Sequence, residues 1–372
     1  MQFTSYTEEL EPLVKAFNAR LRDGGYAWRY AESHVGRYPR REGVPLYEES
    51  FLALDRGQVR GGYHLKYQQF AIHGVIETVA FIQFPVSEGL VDPSYKMVGV
   101  LLLRDAVRRQ PTVLSVGGGG VNQPLPRLEK ASKWAVYEIP FFFKVIRTSP
   151  FFANIAYLRD RGSRRIALDL LRYTGLGGAA LRIAQFRLNQ SRDTLQISLE
   201  PDFDPSWADE LWERCKDQHS FIAVRDGVTL STLYPAGDPH YLRLRMLRNG
   251  RTIAWVILLD SQLENHKQFG SMRVGAIVDC LAAPHDATAV VSAATNYLHA
   301  RGVDIIVSNQ TSSAWCDALR CCGFLVGPSN FALGLSPQLA SKLQPNKQVI
   351  GSFHLNRGDG DRPTHLFRTV VS

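Results

Sequence analysis

Apolar residues recur at helical spacing between Tyr6 and Asp23. Leu10, Leu13, Val14, Phe17 and Leu21 share one face, and Gly24–Gly25 ends the run. The period then shortens to two. Phe51–Leu54 reads as a short strand, Arg56–Gly57 as a turn, and Val59–Ile72 as a long strand that His73–Gly74 turns into Val75–Phe84. Helical patterning returns at Val98–Arg109, with Arg104, Arg108 and Arg109 towards the end that a helix dipole makes favourable for cations. Pro111 ends it. Thr112–Val116 predicts a strand, Pro124–Ser132 a short helix and Trp134–Val145 a closing strand pair.

A similar order recurs further on. Trp207–Cys215 is helical, and Arg243–Leu247 and Thr252–Leu259 flank Asn249–Gly250, a strong hairpin signal. Val274–Leu281 predicts a strand, Ala287–Arg301 a helix stopped by Gly302, Val303–Val307 a strand, Ser312–Cys321 a short helix and Phe324–Leu335 a strand. Few residues are identical between the halves, so the repeat is one of architecture: a duplicated domain and not a solenoid. The chain has 372 residues, beyond the roughly 250–300 at which a single core stops growing. The expected division is a first domain over 1–145, a basic helical linker over 146–190 and a second domain with a tail over 191–372. The expected class is α+β, each domain a central twisted, largely antiparallel sheet flanked by helices.

Composition narrows this little further. At 45% hydrophobic and 21% charged, the chain is globular and not disordered. Its longest apolar stretch, Ala135–Val145, falls far short of a membrane span of about 20 residues. The amphipathic start lacks the basic then apolar order of a secretion signal, so a cytoplasmic location is expected. Five cysteines, two of them adjacent (Cys321, Cys322), and no C-x-x-C spacing argue against a disulfide framework or a zinc site, and no metal is expected. The net charge of +8 suits an anionic partner. Between Arg147 and Arg187 lie eight arginines, no lysine, and only Asp160 and Asp169 against them. Guanidinium groups without lysine favour forked contacts to phosphate or carboxylate.

The stretch Val91-Asp92-Pro93-Ser94-Tyr95-Lys96-Met97-Val98-Gly99-Val100-Leu101 joins a strand to an apolar helix. In this setting it resembles the acyl-CoA loop of the GNAT acyltransferase superfamily. Lys96 stands at that motif's Gln/Arg place and Gly99 at its first Gly place, while Leu101 replaces its last small residue. Asn122–Trp134 and Asn309–Phe324 resemble the family's Asn, short helix and Gly-Phe ending, once in each half. The second half has Ala282-Ala283-Pro284-His285-Asp286 where its phosphate loop should stand. The resemblance spans about 1–145 and 205–335 and implies two GNAT-like domains, the first binding an acyl-CoA and the second degenerate. It implies acyl-CoA contacts at Leu90, Val91, Lys96, Met97, Val98, Gly99, Val100, Leu101 and Asn122. Free helix amides and small residues there would receive a pyrophosphate. The pairing of domains is also similar to the Fem-type aminoacyl transferases.

The resemblance implies a carboxylate base near the end of the fourth strand. Glu88 is the first candidate, with Asp92 and Glu77 in reserve, and Tyr95 beside the loop is a further catalytic candidate. The family's acidic Tyr is replaced by Glu129 in the first half and Leu319 in the second. The tail His354-Leu-Asn-Arg-Gly-Asp359-Gly-Asp361 resembles endings of polysaccharide-associated tandem GNAT proteins. Glu77, Asp279, His354, Asp359 and Asp361 are therefore the candidates for acceptor contacts. Asp-Gly-Asp is also ordinary turn chemistry, and the tail lacks the ligand spacing of a calcium loop. The four glycines at 117–120 precede no Lys-Ser/Thr and make no Walker loop. The implied activity is transfer of an acyl group, most simply acetyl from acetyl-CoA, to the amine of a small molecule, sugar or natural-product intermediate. Two alternatives stand beside it: a Fem-like transferase using aminoacyl-tRNA, and a non-catalytic protein that binds acyl-CoA.

Overall fold

The alternation after the first helix becomes a meander of long antiparallel strands. The computed structural model describes residues 1–154, 179, 183, 185, 195–266 and 268–360. In it β1 (Gln2–Ser5) leads to α1 (Glu11–Asp23), followed by β2 (Tyr47–Asp55), β3 (Gln58–Ile72) and β4 (Val75–Ser87). Both hairpins turn on a non-glycine and a glycine with positive φ, Arg56–Gly57 (50° and 75°) and His73–Gly74 (49° and 82°). That is what two-residue turns matching the strand twist require. Then come α2 (Val98–Arg109), β5 (Val113–Gly118), α3 (Pro124–Ala131), β6 (Ala135–Val145) and α4 (Thr148–Asn154). The later part holds β7 (Gln196–Glu200), α5 (Pro205–Cys215), β8 (Phe221–Ala223), α6 (Gly227–Leu233), β9 (Leu242–Arg248), β10 (Arg251–Gln262) and β11 (Arg273–Ala282). It closes with α7 (Ala287–Ala300), β12 (Ile305–Asn309), α8 (Ser313–Cys321), β13 (Leu325–Leu335) and α9 (Pro337–Leu343).

The chain forms two units, and neither follows the linear division expected near residue 145. Unit 1 holds 1–138 together with 221–224 and 331–349; unit 2 holds the described residues of 139–220, 225–330 and from 350 onward. Trp134–Val145 gives one strand, β6, where a strand pair was expected. Pro140 does not turn the chain. Its carbonyl accepts from the Gln310 amide, and Phe141–Val145 pair antiparallel with β12. The linker expected over 146–190 lies mostly outside the described residues, as does most of the arginine-rich run.

In unit 1 the sheet runs β1-β2-β3-β4-β5-β13, with β8 beside the far end of β3. Alternate residues face opposite layers. Phe51, Leu65, Ile82 and Val113 pack against Val98, Leu102 and Ala106 of α2 and against Trp134. Leu52, Val59 and Val86 face Val14, Phe17 and Leu21 of α1. The strand order of unit 2 is β7-β9-β10-β11-β12-β6. Its core joins Val256, Leu258 and Ile277 to Val290, Ala294 and Leu298 of α7 and to Trp315 and Leu319 of α8. The fold is mixed α/β, with antiparallel ladders and one parallel pair in each unit. No helix among the described residues is long and apolar enough to cross a membrane.

Unit 1 depends on a segment distant in sequence. Phe331–Leu335 pair antiparallel with Leu114–Gly118, and the Ser336 hydroxyl bonds the Val113 amide at 3.0 Å and the Pro111 carbonyl at 2.7 Å. A fragment ending at residue 145 would leave β5 as an unpaired edge. We expect such a fragment to show no cooperative thermal transition by circular dichroism. A sharp transition close to that of the full chain would show the distant strand to be dispensable.

Candidate functional site

In unit 1 the parallel pair β4–β5 is very short. Ala80 lies opposite Val113 and Phe81 opposite Leu114, and the register ends there. Strand β4 continues for six residues to Ser87, still paired with β3 on its other edge. Between Gln83 and Val86 it carries a bulge, where Phe84 takes a φ of 45°. A bulge bends its strand and increases the local twist. The edge of β4 beyond Phe81 thus turns away from β5, and the β4–β5 register ends there.

This edge leads into an ordered loop. The Ser87 hydroxyl accepts from the Gly89 amide at 3.1 Å, and the Asp92 carboxylate accepts from the Ser94 amide at 2.9 Å and its hydroxyl at 2.6 Å. Those bonds hold Asp92 below its ordinary carboxylate range, the Ser94 hydroxyl contributing most. Helix α2 follows without a side-chain cap at Met97 and without an acidic residue in its first turn. No side chain caps its first amides, which lie at the positive end of the helix dipole. Lys96 and Met97 are exposed beside them, and Leu90 is 40% exposed. A Cβ on Gly99 would meet Leu128 Cδ2 of α3 at 3.0 Å.

Unit 2 has the same device in closed form. The register of β11 with β12 runs from Val274–Ile305 to Ile277–Ser308, and a bulge follows on β11. Beyond it the tail bonds to both strands. His354 Nε2 donates to the Cys280 carbonyl at 2.7 Å, and Asn356 Nδ2 donates to Asp279 Oδ1 at 2.7 Å. The Thr311 amide donates to the Leu355 carbonyl at 3.0 Å, and Gln310 bridges Asn356. Buried charge is balanced. Arg225 meets Asp279 at 2.9 Å and Asp359 at 2.7 Å, while Tyr234 donates to Asp279 at 2.7 Å. Burial raises the Asp279 carboxyl against the pull of Arg225. It also lowers His354 to about 4 and His219, beside it, to about 3, so both imidazoles are neutral near pH 7. Gly358 is required here, because a Cβ would meet Asp279 Cβ at 2.9 Å and also the Tyr234 hydroxyl. Just before α7 the buried Asp286 is paired with Arg248 at 2.6 Å and makes no side-chain cap to the helix.

The sequence matches no protein-family model and no curated protein. Solved structures do match. N-myristoyltransferase of Saccharomyces cerevisiae with bound myristoyl-CoA aligns with a TM-score of 0.52 at 11% identity, covering 90% of this chain and 81% of that one. A probable N-acyltransferase from Enterococcus faecalis aligns at 0.51 and 13%, covering 92% and 74%. A GCN5-related N-acetyltransferase from Anabaena variabilis aligns at 0.51 and 10%, covering 90% and 72%. The fold is GNAT-like.

The structure gathers Leu90, Val91, Asp92, Tyr95, Lys96 and Met97–Leu101 at the mouth of α2, and leaves Asn122 exposed just before α3. Glu77 is remote. It sits ten residues before Ser87, about 33 Å along the strand, and pairs with Lys342. Asp279, His354 and Asp359 do come together, but buried in the chain's own ion cluster and not facing a solvent-borne acceptor. Asp361 lies outside the described residues. No local pattern marks Arg225 or Tyr234, whose places in that cluster are set by tertiary packing. Among the described residues no group of three or more His, Cys, Asp or Glu side chains is placed to hold a metal.

Glu129 was noticed only as a replacement for Tyr. It is fully buried, accepts from Ser115 of β5 at 2.5 Å, and has no partner for Oε2. Burial pushes its carboxyl up to about 7 against the effect of that bond. In the folded chain it therefore keeps a proton that the unfolded chain releases near pH 4.5. Its contribution to stability is complete below that pH and falls as pH rises towards 7, by up to about 3 kcal/mol. We expect Glu129→Gln to remove this fall, so that variant and wild-type stabilities measured in urea diverge between pH 5 and 8. Parallel curves would show that Glu129 does not titrate there.

Proposed function

We propose that the protein is an N-acyltransferase that binds acyl-CoA in unit 1 and passes the acyl group to the amine of a small acceptor. The observation that carries this reading is the parting of β4 from β5 immediately before a helix with uncapped first amides. A pantetheine arm has amides that can pair with β4 where it leaves β5, as an added strand would. A pyrophosphate suits the first turn of α2, with Lys96 adding a cation. Leu90 and Met97 offer apolar surface at the rim. The myristoyl-CoA bound by the yeast enzyme of similar fold supports an acyl-CoA donor. In unit 2 the matching place beside β11 holds the tail, which supports a single donor site.

The reaction needs no covalent enzyme intermediate. The amine nitrogen attacks the thioester carbon, a C–N bond forms, the C–S bond breaks and the thiolate leaves as CoA. The proton lost by the nitrogen goes to a base. Asp92 and Tyr95 stay as candidates for proton handling. The alternative of a non-catalytic acyl-CoA-binding protein is favoured by one observation: the carboxylate of Glu88 is fully committed to arginines. No observation among the described residues favours the aminoacyl-tRNA reading.

Calorimetric titration with acetyl-CoA, and separately with free CoA, tests the proposal. Micromolar saturable binding is expected. Lys96→Glu should weaken it by about tenfold or more without moving the melting temperature, since Lys96 is exposed. Absence of binding to either ligand would overturn the reading. Binding without turnover across an amine screen would favour the non-catalytic one.

A further inference from the structure

Glu88 begins the loop between β4 and α2, and its surroundings are unlike those of a base. Its side chain is 5% exposed. Arg20 of α1 donates to Oε1 from Nε at 2.7 Å and to Oε2 from Nη2 at 3.2 Å. Arg60 of β3 donates from Nη1 to both oxygens at 3.0 Å. Both carboxylate oxygens thus accept from two guanidinium groups, an arrangement that fixes the side chain in place.

The same contacts tie the loop to the sheet and to α1. Arg20 also donates to the Val59 carbonyl at 2.6 Å, which fixes it against β3. The guanidinium of Arg60 lies 4.2 Å from the centre of the Tyr95 ring. Tyr95 immediately precedes Lys96 and the uncapped first amides of α2. The backbone carbonyl of Glu88 accepts from the amides of Val91 (2.9 Å) and Asp92 (2.8 Å). The loop then folds back so closely that a Cβ on Gly89 would meet the Tyr95 carbonyl oxygen at 2.5 Å and Lys96 Cα at 2.8 Å. A second close approach seats Val91 on Gly24 at the end of α1, where a Cβ would meet Val91 Cβ at 2.5 Å. Every one of these contacts belongs to unit 1.

We infer that Glu88 is a positioning residue for acyl-CoA binding: through Arg20, Arg60 and Tyr95 it sets the loop that aims the first amides of α2. This rests on the acyl-CoA reading above. It assigns Glu88 a different role from the base that the family resemblance implies. Glu88→Gln removes the counter-charge and leaves two guanidinium groups facing each other, so the loop loses its anchor although the sheet and α2 keep their cores.

Calorimetry with free CoA as the probe tests this. Relative to wild type, Glu88→Gln should weaken CoA binding by about tenfold or more. Glu88→Asp, which keeps the charge, should fall between the two. Arg60→Lys keeps a cation but loses the fork and the ring contact, and should reproduce the Glu88→Gln defect. This second site decides the matter if Glu88→Gln does not fold. CoA affinity unchanged or tightened in Glu88→Gln and Arg60→Lys would overturn the inference, and so would Glu88→Asp binding no better than Glu88→Gln. If wild type itself does not bind CoA, the acyl-CoA reading has failed, which is a separate result from any ratio between variants.

Discussion

Backbone groups on a parted strand pair must find partners, and this constraint organises both units. A parallel pair that separates after a few residues frees amides and carbonyls on each inner edge. Buried groups of this kind are rarely left unmatched. Unit 2 meets the requirement with its own tail, which bonds to Cys280 and Asp279 on one side and to Gln310 and Thr311 on the other. The charge brought in by Asp359 is balanced by Arg225, and Asp286, just before α7, is paired with Arg248. Unit 1 parts its strands in the same way, and has Lys96 and Met97 before α2 where unit 2 has His285 and Asp286 before α7.

From that difference the division of labour follows. One unit has a parted strand pair ahead of the exposed Lys96 and a helix start that no side chain caps, an arrangement that suits a long, amide-bearing, polyanionic ligand. The other is internally complete. The part-buried pairs around Glu88 contribute precision more than stability, because desolvating the carboxylate and shielding the guanidinium groups consumes much of what their attraction returns. What such a cluster does well is to fix a register, here that of the loop before α2.

Much of the fold was legible in the sequence. Long period-two runs, two non-glycine–glycine hairpin turns and the Asn249–Gly250 turn are local signals, and each became what it predicts. The short elements β1, β7 and β8 carry too few residues for a period to register. The exchange of Phe331–Leu335 into unit 1 is set by pairing over more than 200 residues, which no local pattern encodes. The candidate site divides along the same line. Lys96 to Leu101 sit at a helix start, as strand-then-helix patterning implies. The partners of Glu88 are 68 and 28 residues away, so a carboxylate with the spacing of a base could not be told from an anchored one. Similarly, Asp279 and Asp359 are acidic in the sequence, and only the distant Arg225 shows them to be held by the chain itself.

The most direct measurement is amide hydrogen exchange of the full-length protein with and without saturating CoA. The expected result is slowed exchange in the first turn of α2, residues 97–101, and along the β4 edge from Ile82 to Ser87. No change should appear at the start of α7 or in the tail from Phe353 to Asp359. Protection centred on α7 and β11 would contradict the assignment of the donor site to unit 1.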